Sequence, residues 1–241
     1  MAIYTSKTRI DLEDVGYSNK ITNKAILKIL ENAGARQSET IHFGLNDMEN
    51  VGFSWILLGW KVKILKRPIY NEELTINTWG RDSNRIFTYR DYKIYDESGE
   101  LCTIATSKWA IVDINTGKLR ELTPEIIEKY QCETKKVFEE DYTLKLKEPA
   151  TIIRKQEYKA QRRDIDINKH IHNLYYLDYA YEALPEEVYE APECNNIEIM
   201  YKKQIRLNDE FKCLYTKEEN QNIVTMKSED ENTLHAIIKL Y

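Results

Sequence analysis

Set against itself at an offset of 150 residues, the chain places Asp14-Val-Gly-Tyr-Ser-Asn-Lys-Ile-Thr-Asn23 over Asp164-Ile-Asp-Ile-Asn-Lys-His-Ile-His-Asn173. Asp14 meets Asp164, Ile21 meets Ile171 and Asn23 meets Asn173; further on, Leu27 meets Leu177 and Ala33 meets Ala183. A repeat of this kind restricts the fold to two related units, and 241 residues divide into two of roughly 100–120 residues. The matched stretches also stand at the same place in each half, just before a helix.

The first helix reads from Tyr17 to Gly34, where Ile26, Ile29, Leu30 and Ala33 recur at helical spacing. Asn23 is a candidate cap at its start and Gly34 a candidate stop. Runs of strand type follow at Phe53–Leu65, Leu74–Trp79, Ile86–Tyr95 and Leu101–Asp113. Arg67-Pro68 ends one strand, while Asp96–Gly99 and Asp113–Gly117 read as turns. Thr123-Pro124 opens a short helix, with proline at its first position. The polar stretch Asp141–Pro149 reads as a linker. After it come a strand at Ile152–Ala160 and a helix at Leu174–Leu184 closed by Pro185. Further strands follow at Ile197–Ile205, Glu210–Thr216, Ile223–Lys227 and Thr233–Leu240. The order is helix then antiparallel strands, twice, an α+β chain with an N-terminal domain over 1–140 and a C-terminal domain over 150–241.

Charge and cysteine usage remove several functions. The net charge of −5 argues against a general nucleic-acid binder. No apolar run approaches the roughly 18–20 residues that span a bilayer, and Met1–Asp14 has no basic-then-apolar leader pattern, so the expected location is the cytoplasm. Cys102, Cys132, Cys194 and Cys213 show no CxxC and no metal spacing, and read as reduced, structural thiols. His170 and His172 lie close together without a cysteine cluster, so no metal site is expected. His42 and His235 read as surface or structural residues. The charge is uneven, however. Arg154, Lys155, Lys159, Arg162, Arg163 and Lys169 crowd one stretch, and Lys202, Lys203 and Arg206 follow. Such a stretch is a solvated face or a docking patch for an acidic partner.

Asp166, Asn168 and His170 alternate with Ile167 and Lys169. In an extended segment all three side chains share one face, beside the unpaired N–H groups of a helix starting near Asn173. An imidazole can take a proton from water, a carboxylate can orient it or act as base, an amide can position water, and helix N–H groups can hold an oxyanion. The same residue types also serve as plain helix caps. The repeat adds weight to chemistry, because the first copy has Gly16, Ser18 and Lys20 at these positions. No GxSxG elbow is present.

These residues resemble the acyl-ACP thioesterases of bacteria and plant plastids. Asp166-Ile-Asn168-Lys-His170-Ile-His-Asn173 is similar to the family's D-x-N-x-H-V-N-N, with His172 where Asn is usual. Trp60–Pro68, Glu73–Trp79, Arg90-Asp-Tyr and Ala105–Trp109 resemble its N-terminal strands. The resemblance implies a double hotdog, two tandem helix-wrapped antiparallel sheets. It implies hydrolysis of fatty acyl-ACP without metal or dissociable cofactor, the acyl chain held by the N-terminal half and the catalytic residues in the C-terminal half. Asp166, Asn168, His170 and Gln204 become the catalytic set. Asn173, Trp55, Trp60, Arg162, Arg163, Lys202 and Lys203 become substrate-binding residues, the basic ones facing acidic ACP. Trp55 and Trp60, like Trp79 and Trp109, also suit an ordinary core. In the family a Y-R-R-E segment carries a further acid, and Tyr201-Lys-Lys-Gln204 replaces it by an amide, which takes no proton near pH 7. Glu198 is the neighbouring acid on that strand. An acyl-CoA thioesterase of the same fold and a non-catalytic acyl or acyl-ACP binding protein are the alternatives, and a fused pair is compatible with a monomer or a homodimer.

Overall fold

The fold is described from a computed structural model covering residues 3–81, 84–140 and 145–241. The chain divides into two units, Met1–Thr143 and Leu144–Tyr241. The break falls within the stretch read as a linker, of which residues 141–144 lie outside the described ones.

In the first unit, β1 (Tyr4–Arg9) leads through a 3-10 turn to α1 (Asn23–Thr40), then α2 (Met48–Val51), β2 (Phe53–Ile64), β3 (Glu73–Gly80), β4 (Thr88–Tyr95), β5 (Leu101–Asp113), β6 (Leu119–Arg120) and α3 (Pro124–Tyr130). Its sheet runs β1-β3-β4-β5-β2, with β6 beside β5, and every pairing is antiparallel. The second unit holds β7 (Arg154–Lys159), α4 (Asn173–Glu182), α5 (Glu186–Tyr189), β8 (Asn196–Tyr201), β9 (Glu210–Glu218), β10 (Gln221–Ser228) and β11 (Leu234–Leu240). Its order, β7-β9-β10-β11-β8, repeats that of the first unit. In each, the long helix crosses from the edge strand to the far strand, and its apolar stripe is buried. Leu27 and Leu30 in α1 and Leu177 and Ala180 in α4 are 0 % exposed. Each buried leucine contributes on the order of 1.5–3 kcal/mol by leaving water.

The strands fall where period-two alternation and β-branched residues place them, and Leu101–Asp113 is observed as read. Three expectations fail for physical reasons. The first helix begins at Asn23, not Tyr17, because Thr22 is the cap: its hydroxyl accepts the Ala25 N–H at 3.2 Å. Nor does the helix stop at Gly34. That residue lets α1 approach the sheet, since a Cβ there would lie 3.0 Å from the Tyr92 hydroxyl and 3.2 Å from Arg90 Cδ. The strand read through Ile205 ends at Tyr201, and Lys202–Asp209 forms a loop and turn that carries Gln204. β1 went unread because Tyr-Thr-Ser-Lys-Thr-Arg has one inward aromatic and little else of strand character; the 150-residue offset from Arg154–Lys159 was the signal that locates it.

Gly34→Val is expected to lower stability by about 1–3 kcal/mol through overpacking against Tyr92 and Arg90, read as a lower urea midpoint with unchanged m-value. An unchanged midpoint would show that α1 does not depend on this approach.

Candidate active site

The two helix-entry segments share one backbone, bond for bond. Asp14 N–H donates to Asp11 O at 3.0 Å and Asp164 N–H to Gln161 O at 3.1 Å. Thr22 N–H reaches Asp14 O at 2.9 Å, and His172 N–H reaches Asp164 O at 2.8 Å. Gly16 N–H bonds to Lys20 O at 3.0 Å, and Asp166 N–H to His170 O at 2.9 Å. Val15 pairs with Ile21 as Ile165 pairs with Ile171. Asn19 and Lys169 both take left-handed backbone, φ 58° and 64°. Each segment then pairs with the loop between the two strands that follow the helix, Ile21 N–H to Pro68 O at 2.9 Å ahead of β3 and Ile171 N–H to Ile205 O at 2.8 Å ahead of β9.

The segment 166–170 is therefore a closed turn, not the extended stretch expected, and period two is not what gathers its side chains. Asp166 closes it: Oδ1 accepts the Asn168 N–H at 2.8 Å and the His170 N–H at 3.3 Å, and Oδ2 lies 3.4 Å from Asn168 Nδ2. Asn168 is exposed, Asp166 and His170 are half-buried, and Ile167 stands out at the tip, 67 % exposed. α4 starts three residues after His170, at Asn173, with His172 as cap; its Nδ1 accepts the Leu174 N–H at 3.3 Å. As the first N–H of the helix, that of Asn173 has no intrahelical partner. The Asn173 carbonyl accepts the Tyr201 hydroxyl at 3.1 Å.

Across from this turn lies the Lys202–Asp209 segment. His170 and Arg206 form an antiparallel bridge. The buried Tyr176 hydroxyl accepts the Ile205 N–H at 3.2 Å, locking the segment to α4. Gln204, one residue before Ile205, is exposed. The position holding the same place ahead of Pro68 in the first unit is Arg67, whose guanidinium donates to Asn23 Oδ1 at 2.7 Å and to Ile21 O at 2.9 Å. Gln204 thus stands opposite the His170–Asn173 stretch. Glu198 does not reach it: it lies inside β8 and accepts the Tyr241 hydroxyl at 2.8 Å.

Burial lowers the His170 pKa, Asp166 opposes this, Arg206 adds to the lowering and Asp209 opposes it. Neutral imidazole is thereby favoured, the form that accepts a proton. Tyr176 is pushed up to about 12, chiefly by burial. His235, in β11, is buried; one ring nitrogen sits 2.8 Å from Lys203 O, and burial lowers its pKa. Arg206, Asp209, Tyr176 and His235 were not singled out as site residues; only the pairing of the two turns reveals them. Cys213 is fully buried and its thiol pushed up by burial, which suits packing rather than attack. No cluster of histidine, cysteine and carboxylate suited to a metal occurs among the described residues.

The remaining site candidates fall into two groups. Trp60 is fully buried against Tyr92, ring centroids 5.3 Å apart, and Trp55 packs edge-on to Phe53 and Tyr130. Of the basic stretch, Arg154 donates to Leu184 O, Lys155 pairs with Glu231, Lys159 with Glu210, and Arg163 lies 3.7 Å from Asp164. Arg162, Lys169, Lys202 and Lys203 are exposed. No helix of the described residues is long and apolar enough to cross a membrane.

Comparison with known proteins adds two domain matches. Residues 1–130 match the acyl-ACP thioesterase N-terminal domain and residues 147–239 the acyl-ACP thioesterase C-terminal domain. Oleoyl-acyl carrier protein thioesterase 2, chloroplastic, of Arabidopsis thaliana is 25% identical over 238 residues, covering 92% of this chain. The oleoyl-acyl carrier protein thioesterase of Coriandrum sativum is 25% identical over 244 residues, covering 93%. The chain spans 65% of the length of each of these relatives. The fold is shared with a solved acyl-ACP thioesterase from Bacteroides thetaiotaomicron (TM-score 0.87, 22% identity, 99% of this chain and 97% of that one). It is also shared with the 12:0-ACP thioesterase from Umbellularia californica (TM-score 0.84, 17% identity, 100% and 96%).

Because Asp166 accepts backbone N–H groups, its alanine variant should lose about 1–2 kcal/mol and show faster amide exchange at Asn168 and His170. Asp166→Asn, which keeps an acceptor oxygen, should hold both close to wild type. Equal losses in the two variants would mean that the charge, not the turn bond, sustains the loop.

Proposed function

Since this chain belongs to the acyl-ACP thioesterase family, we propose that it hydrolyses fatty acyl-ACP thioesters to free fatty acid and ACP, ending chain elongation in fatty-acid synthesis. One observation carries the reading. Two units share a helix-entry backbone, and only the second carries an acid, an amide and an imidazole on it. Each unit is read as a hotdog. The first is assigned to the acyl chain, with Trp55 and Trp60 in or behind its lining, and the second to chemistry.

In this mechanism His170 takes a proton from water, which then attacks the thioester carbonyl. The lowered pKa of the imidazole keeps it neutral and ready near pH 7. Asp166 fixes the turn that presents His170 and raises the basicity of its ring. Asn168 and Gln204 hold the water or the carbonyl by hydrogen bonds, as amides can, each with two N–H donors and a carbonyl acceptor and no acid–base role near pH 7. The N–H of Asn173, at the positive end of α4, faces the developing oxyanion. Collapse of the tetrahedral species expels the phosphopantetheine thiolate, which takes up the proton held by His170. No cofactor enters.

The partner is ACP, whose acidic surface meets Arg162, Lys202 and Lys203 and, in part, Arg163. Attraction between exposed charges acts over about 10 Å at 0.1 M salt and weakens above it. A cytoplasmic location accords with this assignment.

Gln204 in place of an acid favours one other reading, an acyl-ACP binding protein without turnover. Hydrolysis of an acyl-ACP chain-length series, with matching acyl-CoAs, separates the two. Wild type should release free acid from acyl-ACP. His170→Ala should retain the fold and lose at least about 10²-fold in kcat/KM. Binding of acyl-ACP without release would establish the second reading, and faster turnover of acyl-CoA than acyl-ACP would remove the ACP assignment. The acid limb of kcat/KM should lie below the ordinary histidine value, since burial lowers the His170 pKa; a limb above 6.5 would contradict the burial argument. Lys202→Glu combined with Lys203→Glu should raise KM for acyl-ACP, with the difference from wild type shrinking as salt rises.

A further inference from the structure

The turn asks more of Asp166 than an orienting carboxylate can give freely. Both of its oxygens are engaged, one by two backbone N–H groups and one by the Asn168 amide. Gln204 offers no charge. A second carboxylate nevertheless stands on the turn paired with that of His170. Asp209 closes Arg206–Asp209 much as Asp166 closes its own turn: its N–H donates to Arg206 O at 3.1 Å, and its Oδ2 accepts the Arg206 N–H at 2.8 Å. Arg206 is the bridge partner of His170, so the turn that Asp209 closes is paired backbone to backbone with the turn that carries the imidazole. Only Oδ2 is taken up by the turn. The charges that act on His170 are Asp166 on its own turn and Arg206 and Asp209 on the opposite one; Tyr176 of α4 lies within the field of both acids. The His235 ring is held by Lys203 O, and Asp209 opposes the lowering of its pKa by burial.

We propose that Asp209 is a positioning residue for the hydrolysis, the carboxylate on the turn paired with that of His170 that supports positive charge on the imidazole and balances Arg206, where Gln204 supplies no charge. This rests on the assignment of His170 as base. It extends that assignment with a residue from a different turn. The first unit has Glu72 at the matching place, ahead of β3, on a turn whose Ile69 bridges Lys20 as Arg206 bridges His170, so an acid there is tolerated by the backbone in both copies and stands across from a histidine turn in only one.

The test is a histidine titration by NMR, with His170 assigned by comparison with His170→Gln. Asp209→Asn keeps an oxygen acceptor for the Arg206 N–H and removes the charge. It should lower the His170 midpoint by a few tenths to about one unit, cut kcat about tenfold and leave KM for acyl-ACP within about twofold. Asp209→Glu should restore part of both losses. A folded Asp209→Asn with the wild-type midpoint, or with the midpoint raised, overturns the proposal, as does a loss confined to KM. The titration reads the ring whether or not the protein turns over acyl-ACP. Absence of turnover in wild type therefore removes the hydrolase reading, while the midpoint still decides the role of Asp209.

Discussion

A buried carboxylate at the entrance to each long helix is the contact on which the rest of the site depends. Asp164, 3 % exposed, accepts the Gln161 N–H at 2.8 Å and the Tyr179 hydroxyl at 2.6 Å through Oδ2, while its carbonyl accepts the His172 N–H. Asp14 does the same work with the Asp11 N–H and with Lys28 in place of the tyrosine. Stripping water from a carboxylate is costly unless it is fully bonded, so these bonds leave the chain one way to enter the helix. Everything between residues 165 and 171 hangs from two fixed points, the acid before it and the helix cap after it. The loop at 205–206 then pairs with what those points present.

Holding the backbone constant makes the difference between the units chemical and not conformational. Glycine, serine and lysine sit on the first turn, and aspartate, asparagine and histidine on the second. The opposing position is Arg67 in one and Gln204 in the other. A guanidinium bonded to Asn23 Oδ1 and Ile21 O fills the polar end of the first helix. At the matching place the second unit has the shorter, uncharged and exposed Gln204. The helices diverge at their far ends, where α1 runs eighteen residues and α4 ten. There the first unit buries Arg90 against Gln37, Thr78 and the Tyr130 ring, and Ser38 bonds to Tyr130 at 2.7 Å. Nothing comparable is needed at the short end of α4, where Pro185 turns the chain away.

Much of this was legible in the residues because each strand carries its own alternation and each turn its own aspartate, asparagine or glycine. The repeat located both helix entries, and the side chains at 166, 168 and 170 were named from it. What stayed hidden was the shape between them. An alternating D-x-N-x-H reads as a strand by period two, yet an aspartate two and four residues ahead of backbone N–H groups closes a turn instead, and Lys169 in left-handed backbone gives no sign of itself in sequence. Gln204 was placed on a strand because Ile197–Ile205 is apolar enough to continue one; the loop exists because Tyr176, from a helix far away in sequence, takes the Ile205 N–H. Arg206 reads in sequence only as part of the basic stretch and Asp209 as a surface charge; the bridge to His170 is what pairs their turn with the site. Gly34 misled because a glycine near a helix end signals a stop, and its use as a gap for Tyr92 and Arg90 depends on strands more than fifty residues later.

The left-handed residue at each turn tip has a consequence for how such a chain can change over time. A lysine at φ 64° and an asparagine at φ 58° cost the chain roughly 1–2 kcal/mol of local strain, and they hold it in both copies, with and without catalytic neighbours. The strain therefore belongs to the scaffold, and of the reactive side chains only Asp166, through its bonds to the Asn168 and His170 N–H groups, helps to keep the turn in shape. A lineage built on such a frame can exchange the imidazole or the amide by single codon changes without unfolding, and one copy becomes free to drift toward holding substrate while the other keeps the reaction.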